Sequence, residues 1–335
     1  MTVVRSRSTD QIQTYVEPAI RALLDRLDAG NRLVAGYQLG YWDADGSPAA
    51  SQGKGLRPAL ALLSARAAGA APEAGAPAAA AVELAHNFSL LHDDVMDGDT
   101  ERRHRPTAWT VFGVGPAILA GDALIGLAYE ALVEVPGGEP AARRLAEDVR
   151  ALIAGQMADL SFERRDDVTL DECLAMAGNK TAALLAASCA LGALLCGGPP
   201  GLVDGLSRFG SHLGLAFQLV DDVLGIWGDP GRTGKPVGSD LRARKRSIPV
   251  VRALTSGDPA GLALADLYRS PEPLTDEDVA RASELIEATG AREWTQQRAW
   301  QETERARAEL EALDLPEDVR GELADVADFI TGRDH

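Results

Sequence analysis

The sequence predicts an all-α fold, a single-domain helical bundle around a central cavity. Three observations carry that expectation. Alanine and leucine are abundant while aromatic residues make up only 5% of the 335, which favours helix over sheet. Apolar residues recur at helical spacing from end to end, with no convincing run of strand-like alternation. Connections are short, with no low-complexity linker and no strong repeat, so a 46% hydrophobic chain of this length can close one large core.

Taken in order, the spacing predicts helices over about 9–29, 31–42, 56–70, 76–98, 106–133 and 139–164. Further helices are expected over about 169–177, 179–197, 201–227, 239–255, 274–289 and 291–312, with a last one near 316–331. Turn chemistry separates them at Asp45-Gly46-Ser47-Pro48, Pro136-Gly137-Gly138 and Gly228-Asp229-Pro230-Gly231. One domain, 1–335, is expected, with residues 1–10 polar, lacking an apolar signal region, and flexible. From Thr181 to Val203 no charge appears, but Gly197-Gly198-Pro199-Pro200-Gly201 cuts the apolar run short. That leaves less than the roughly 20 residues a membrane span needs. A helix buried on all sides is expected there instead.

A formal net charge of −17 and a pI near 4.7 argue against binding to nucleic acid or to anionic membranes. An anionic substrate must then be drawn in by local basic groups and metal. Cys173, Cys189 and Cys196 have no metal-ligand or redox spacing; reduced core thiols in a cytoplasmic protein are expected.

Two aspartate clusters interrupt this apolar pattern. Asp93, Asp94 and Asp97 follow Asn87-Phe88-Ser89-Leu90-Leu91, and Asp221-Asp222 follow the apolar run 213–220. Neighbouring carboxylates repel and are costly to bury without a cation. Asp93 and Asp97 lie four apart and share a helical face, with Asp94 close beside. Hard oxygens at that spacing suit Mg²⁺, which keeps several waters and bridges carboxylates to substrate phosphates. Gln218, three before Asp221, shares its face and suits a phosphate or a bridging water. Basic residues stand nearby: Lys54 and Arg57 in a glycine-flanked loop that is no P-loop, Arg102-Arg103 after the first cluster, and Lys180-Thr181 opening the apolar helix. A charge run of this kind is ordinarily a solvated surface; arginine pairs also fit diphosphate oxygens bidentately.

In order along the chain, these residues resemble the trans-isoprenyl diphosphate synthases, the polyprenyl synthetase family. The matching features are Gly53-Lys54-x-x-Arg57-Pro58, His86 seven before Asp93, and Asp93/Asp94/Asp97 with Arg102-Arg103. Lys180-Thr181 follows, then Phe217-Gln218-x-x-Asp221-Asp222 with Gly234-Lys235 and Asp240. They span residues 53 to 245. The resemblance implies a bundle of the isoprenoid synthase type, active as a homodimer. It implies that Asp93, Asp94, Asp97, Asp221 and Asp222 bind Mg²⁺ bridged to an allylic diphosphate, which Arg102, Lys180 and Lys235 also contact. Lys54, Arg57, His86 and Arg103 would hold isopentenyl diphosphate, with Thr181 and Gln218 in the substrate site.

The second cluster departs from the family pattern, since Gly225 stands where a third aspartate is usual. Phe88, five before Asp93, with Ser89 beside it, suggests a medium-chain product: C20, with C15 next. Phe88 as plain core filling is the competing reading. A class I terpene cyclase would also use aspartate-rich helices and Mg²⁺, but has no need of a second diphosphate site. A non-catalytic partner or cargo protein of the same fold would be expected to lose metal ligands.

Overall fold

The computed structural model describes residues 10–49, 55–102, 104–228, 238–270 and 272–331. It is 77% helical, as the composition predicts. Among the described residues, strand pairing is confined to Glu101–Arg102 against Arg105–Pro106 and an isolated bridge between Trp42 and Pro48. The chain divides into two compact units. One comprises the residues up to Val149 with Leu184–Gly210 and Leu310–Asp325; the other comprises Arg150–Ala183, Ser211–Glu309 and the residues from Val326.

The first unit is built on close contact between small residues. Ala59–Ala65 of the Leu56–Ala67 helix and Ala78–Val82 of the Ala76–Asp97 helix are buried without interruption. A Cβ on Gly192 would overlap the Ala61 carbonyl oxygen, so the Ala183–Leu195 helix comes as near as glycine permits. Ser64 fastens that contact: its Oγ accepts from Ala193 N at 3.0 Å and donates to Ala61 O at 3.2 Å. Backbones this close gain dispersion contacts along their length. The Val114–Val133 helix packs on Ala76–Asp97 in the same unit.

In the second unit, a capping box between Thr169 and Glu172 starts the Leu170–Ala177 helix. That helix runs into a π-wound turn, Gly178–Ala182, before the α-helix resumes at Ala183. One apolar cluster joins Phe162, Cys173, Leu219, Val220, Ile248 and Val251; another joins Ile226, Leu241, Leu264, Val279 and Ile286.

The structure revises several predicted boundaries. The helix expected over 239–255 is two, Ser239–Arg242 and Ile248–Leu254. Arg244 adopts a left-handed φ of 51°, and Lys245 N closes back on Asp240 O at 2.9 Å, which terminates the first. The 106–133 helix breaks at Gly113, φ 94°, and the 31–42 helix stops at Gln38 ahead of Gly40, φ 77°. An unpredicted helix, Pro259–Arg269, starts on a proline whose missing N–H costs nothing in the first turn. The apolar 181–203 segment is the expected buried helix, with Leu184–Ala193 fully covered. It belongs to a Leu170–Leu195 stretch which, like Val114–Val133, is long and apolar enough to cross a membrane. Cys173 and Cys189 are buried free thiols and Cys196 is partly covered.

Candidate active site

Each unit carries one aspartate cluster. In the first unit, Ala76–Asp97 ends at Gly98 in the left-handed region, φ 68°, just after the cluster. Successive helical residues are about 100° apart, so Asp93 and Asp97 share one face while Asp94 turns inward. Asp94 is 1% exposed; Asp93 and Asp97 are partly exposed.

Arg102 holds Asp94 from the short hairpin. Its Nε and Nη2 lie 2.7 and 2.6 Å from Asp94 Oδ1, and Asp99 stands 3.9 Å from the same guanidinium. Burial pushes the Asp94 carboxyl above its ordinary range against the pull of Arg102, with Asp99 and Asp97 adding repulsion. Burial also works against the charge on Arg102, yet Asp94 raises it overall. The second oxygen, Asp94 Oδ2, is buried with no hydrogen-bond partner among the described residues. Two accessible carboxylates above an oxygen in that condition are a donor set that fits a hard divalent cation. Among the described residues no three His, Cys, Asp or Glu side chains form a ready-made cage. An ion that retains water and takes phosphate oxygens does not require one.

One helical step back, Arg57 Nη1 lies 3.2 Å from His86 Nε2. Guanidinium only donates, so Nε2 is the accepting atom in this contact. Gly55 enters the Leu56–Ala67 helix at φ 61°. Ser89 Oγ donates to His86 O at 2.9 Å. Phe88 is buried edge-on to His92, 4.8 Å between ring centres. His92, without a role on sequence grounds, docks the Val114–Val133 helix. Its Nε2 is 3.0 Å from Ile118 O, where a side chain on Gly121 would collide with it.

In the second unit the cluster is wired to the π-wound turn. Thr181 Oγ1 donates to Gln218 Oε1 at 2.6 Å, and Gln218 Nε2 donates to Asp222 Oδ1 at 2.7 Å. Asp222 Oδ2 takes the backbone N–H of Ile248, the first residue of its helix, at 2.8 Å. Asp222 is 7% exposed, and burial pushes its carboxyl up to about 7, with Asp240 and Asp221 adding repulsion. Both of its oxygens are committed to protein donors, so it anchors Gln218 and Ile248; Asp221 is the exposed member. A Cβ on Gly225 would overlap the Asp240 carboxylate, so Asp240 fills the space over the departed third aspartate.

Lys180 Nζ lies 2.5 Å from Asp159 Oδ2, a partner sequence reading missed. A signal existed: Asp159 and Gln156 continue the buried stripe Leu145, Val149 and Leu152 at helical spacing, and polar groups on an apolar stripe call for explanation. The structure thus brings together Asp94 with Arg102, Arg57 with His86, and Thr181 with Gln218 and Asp222. Lys54, Arg103, Lys235 and Asp229 lie outside the described residues.

Comparison with known proteins finds a matching family model and similar proteins over nearly the whole chain. A family model described as polyprenyl synthetase matches residues 47–286. A farnesyl diphosphate synthase from Mycobacterium tuberculosis is 46% identical over 95% of this chain and 90% of its own. A geranylgeranyl diphosphate synthase from the same organism is 47% identical over 90% and 86%. Among solved structures, a polyprenyl synthetase from Streptomyces coelicolor A3(2) superposes with a TM-score of 0.92. It is 48% identical and covers 98% of this chain and 99% of its own.

Proposed function

The chain belongs to the polyprenyl synthetase family, and from that premise we propose how its residues divide the work of a prenyltransferase. It condenses isopentenyl diphosphate head-to-tail with an allylic diphosphate to give a medium-chain prenyl diphosphate. The observation that carries the reading is the first cluster: Asp93 and Asp97 partly exposed on one face, with Asp94 buried behind them and paired to Arg102.

Asp93 and Asp97, with the second oxygen of Asp94, would hold Mg²⁺ in the first unit, and Asp221 would do so in the second; when bound, the ion would neutralise charge on the departing diphosphate. Asp222, with both oxygens on protein donors, fixes the helix that presents Asp221. Lys180 donates to the allylic diphosphate, whose multiple charge competes for it against the single carboxylate of Asp159. Arg57 and His86 hold isopentenyl diphosphate. The Thr181–Gln218–Asp222 chain fixes the Gln218 amide.

C20 is the product read from buried Phe88 and Ser89, with C15 next; relatives making either are almost equally similar. The whole chain acts as one catalytic domain, in the cytoplasm, with no membrane span and no nucleic-acid partner. A homodimer is supported by exposed Val114, Ile118, Leu119 and Val133 on one helix, an apolar stripe that a second copy would cover.

The test is incubation of purified protein with Mg²⁺, dimethylallyl or farnesyl diphosphate, and isopentenyl diphosphate. An elongated diphosphate is expected. A hydrocarbon from geranylgeranyl diphosphate alone would indicate a cyclase, and no consumption of substrate would indicate a non-catalytic protein.

A further inference from the structure

Phe88, the residue from which product length is read, is one part of a three-residue stack. His92 lies one helical turn on, on the same face of the Ala76–Asp97 helix, and leans back over it. The two rings meet edge-on at 66°, with 4.8 Å between centres, an arrangement that aromatic pairs favour. Phe88 is buried, so its ring takes the orientation its neighbours leave it.

His92 is itself held from a second helix. A carbonyl only accepts, so Nε2 donates to Ile118 O at 3.0 Å and ties the imidazole to Val114–Val133. Asp122 Oδ1 stands 3.7 Å from the same nitrogen, beyond hydrogen-bond reach. Gly121 makes the room: a Cβ there would lie 2.4 Å from Nε2 and 2.6 Å from Cδ2. Gly121 is inside an α-helix and outside the left-handed region. Space for the imidazole, and no demand of the backbone, therefore accounts for a glycine where alanine would favour the helix.

We infer that His92 and Gly121 are positioning residues that set product length through Phe88. The notch at Gly121 fixes the imidazole, and the imidazole fixes the ring that stops the growing tail. This rests on the chain-length reading of Phe88 above. In each round the allylic C–O bond breaks and its electron pair leaves with the diphosphate. The π pair of isopentenyl diphosphate forms the new C–C bond, and a proton is lost from the added unit. The product is again an allylic diphosphate, so room for the tail decides whether another round follows. An imidazole displaced from the notch presses the Phe88 ring into the path of the tail. An imidazole removed leaves a space into which the ring falls back.

Gly121→Ala, His92→Ala, the double variant and Phe88→Ala are incubated with Mg²⁺, dimethylallyl diphosphate and labelled isopentenyl diphosphate. Product lengths, kcat and unfolding temperatures are measured alongside wild type. Gly121→Ala should move the ratio of adjacent product lengths about tenfold toward the shorter, the low end of what one carbon does in an apolar pocket. His92→Ala should move it about as far toward the longer. In the double variant the added methyl group meets no imidazole, so its products should match those of His92→Ala. His92→Ala introduces no overlap and decides the inference by itself if Gly121→Ala does not fold. Product lengths within about twofold of wild type in His92→Ala, where Phe88→Ala lengthens the product, overturn the inference and leave the Phe88 reading standing. Equal shifts by Gly121→Ala with and without His92 overturn it as well. A lowered kcat or unfolding temperature at unchanged product lengths overturns it as a packing effect. An unchanged product from Phe88→Ala overturns the chain-length reading itself, whatever the other variants do.

Discussion

Asp222 is the residue whose removal separates anchoring from metal binding most cleanly. In Asp222→Ala the buried N–H of Ile248 loses its acceptor, at a cost of about 1–3 kcal/mol. Gln218 loses its partner too, but is partly exposed and recovers most of that from water, adding about 0.5–1 kcal/mol. The expected destabilisation is about 1.5–4 kcal/mol. Asp222→Asn behaves differently. Its oxygen serves Ile248 while its NH₂ faces Gln218, whose amide flips to present Oε1. Gln218 Nε2 then points at Thr181, whose hydroxyl switches from donor to acceptor. The chain reverses its polarity intact, so Asn should cost less than about 1 kcal/mol. After that reversal Thr181 is the acceptor for the flipped Gln218 amide, so Thr181→Val should cost more in the Asn background than in wild type. The coupling expected is about 0.5–1.5 kcal/mol. Denaturant unfolding of wild type, the three single variants and the Asn–Val double variant, with hydrogen exchange at Ile248, measures all of this. Unchanged exchange at Ile248 in Asp222→Ala, or strict additivity of the Asn and Val changes, would refute the wiring.

Gly225→Ala should destabilise the wild type despite alanine's helix preference, because its Cβ meets Asp240. In an Asp240→Ala background the same change should stabilise by about 0.5–1 kcal/mol, and equal effects in both backgrounds would deny the overlap. Asp148, paired with Arg144 outside the aspartate clusters, is pushed up to about 6 by burial against the pull of Arg144. A folded pKa above the unfolded one means the folded protein binds more protons, so this group's contribution falls as pH rises from about 4 through about 6. Wild-type stability minus that of Asp148→Asn should therefore decline by about 2–3 kcal/mol across that window and stay level above pH 7; a rise would contradict the burial argument. Phe88→Ala should destabilise by about 3–5 kcal/mol and lengthen the product formed from labelled isopentenyl diphosphate; an unchanged product would leave Phe88 as core filling alone.

Much of the site was legible because the motif residues sit at helical spacing. What the sequence did not display was which aspartate of each cluster turns inward. The helical angle implies it, since Asp94 is about 100° from Asp93 and Asp222 the same from Asp221. Burial and partners then decide the role, and Arg102 and Ile248 are tertiary neighbours. Arg102 read as a diphosphate ligand because its pairing depends on Asp94 being inside. The Lys180–Asp159 pair joins two helices across 21 residues, and its one mark in the sequence is that Asp159 continues the apolar stripe of its own helix. The Pro259–Arg269 helix was not expected because Gly257 and Pro259 interrupt the periodicity where the proline in fact opens a helix.

The π-wound turn at Gly178–Ala182 has a bearing on how this chain can vary. A π turn holds one residue more than an α turn closing the same stretch of axis. Removing any one residue from it would let an unbroken α-helix form, at little cost to the helix itself. Residues on one side would then swing about 100° relative to the other, parting Lys180 from Asp159 or Thr181 from Gln218. Substitution in this turn is therefore a question of chemistry and graded in its effect, whereas deletion is a question of phase and all-or-none. The turn serves as an escapement: its length, more than its composition, sets the register of Lys180 and Thr181.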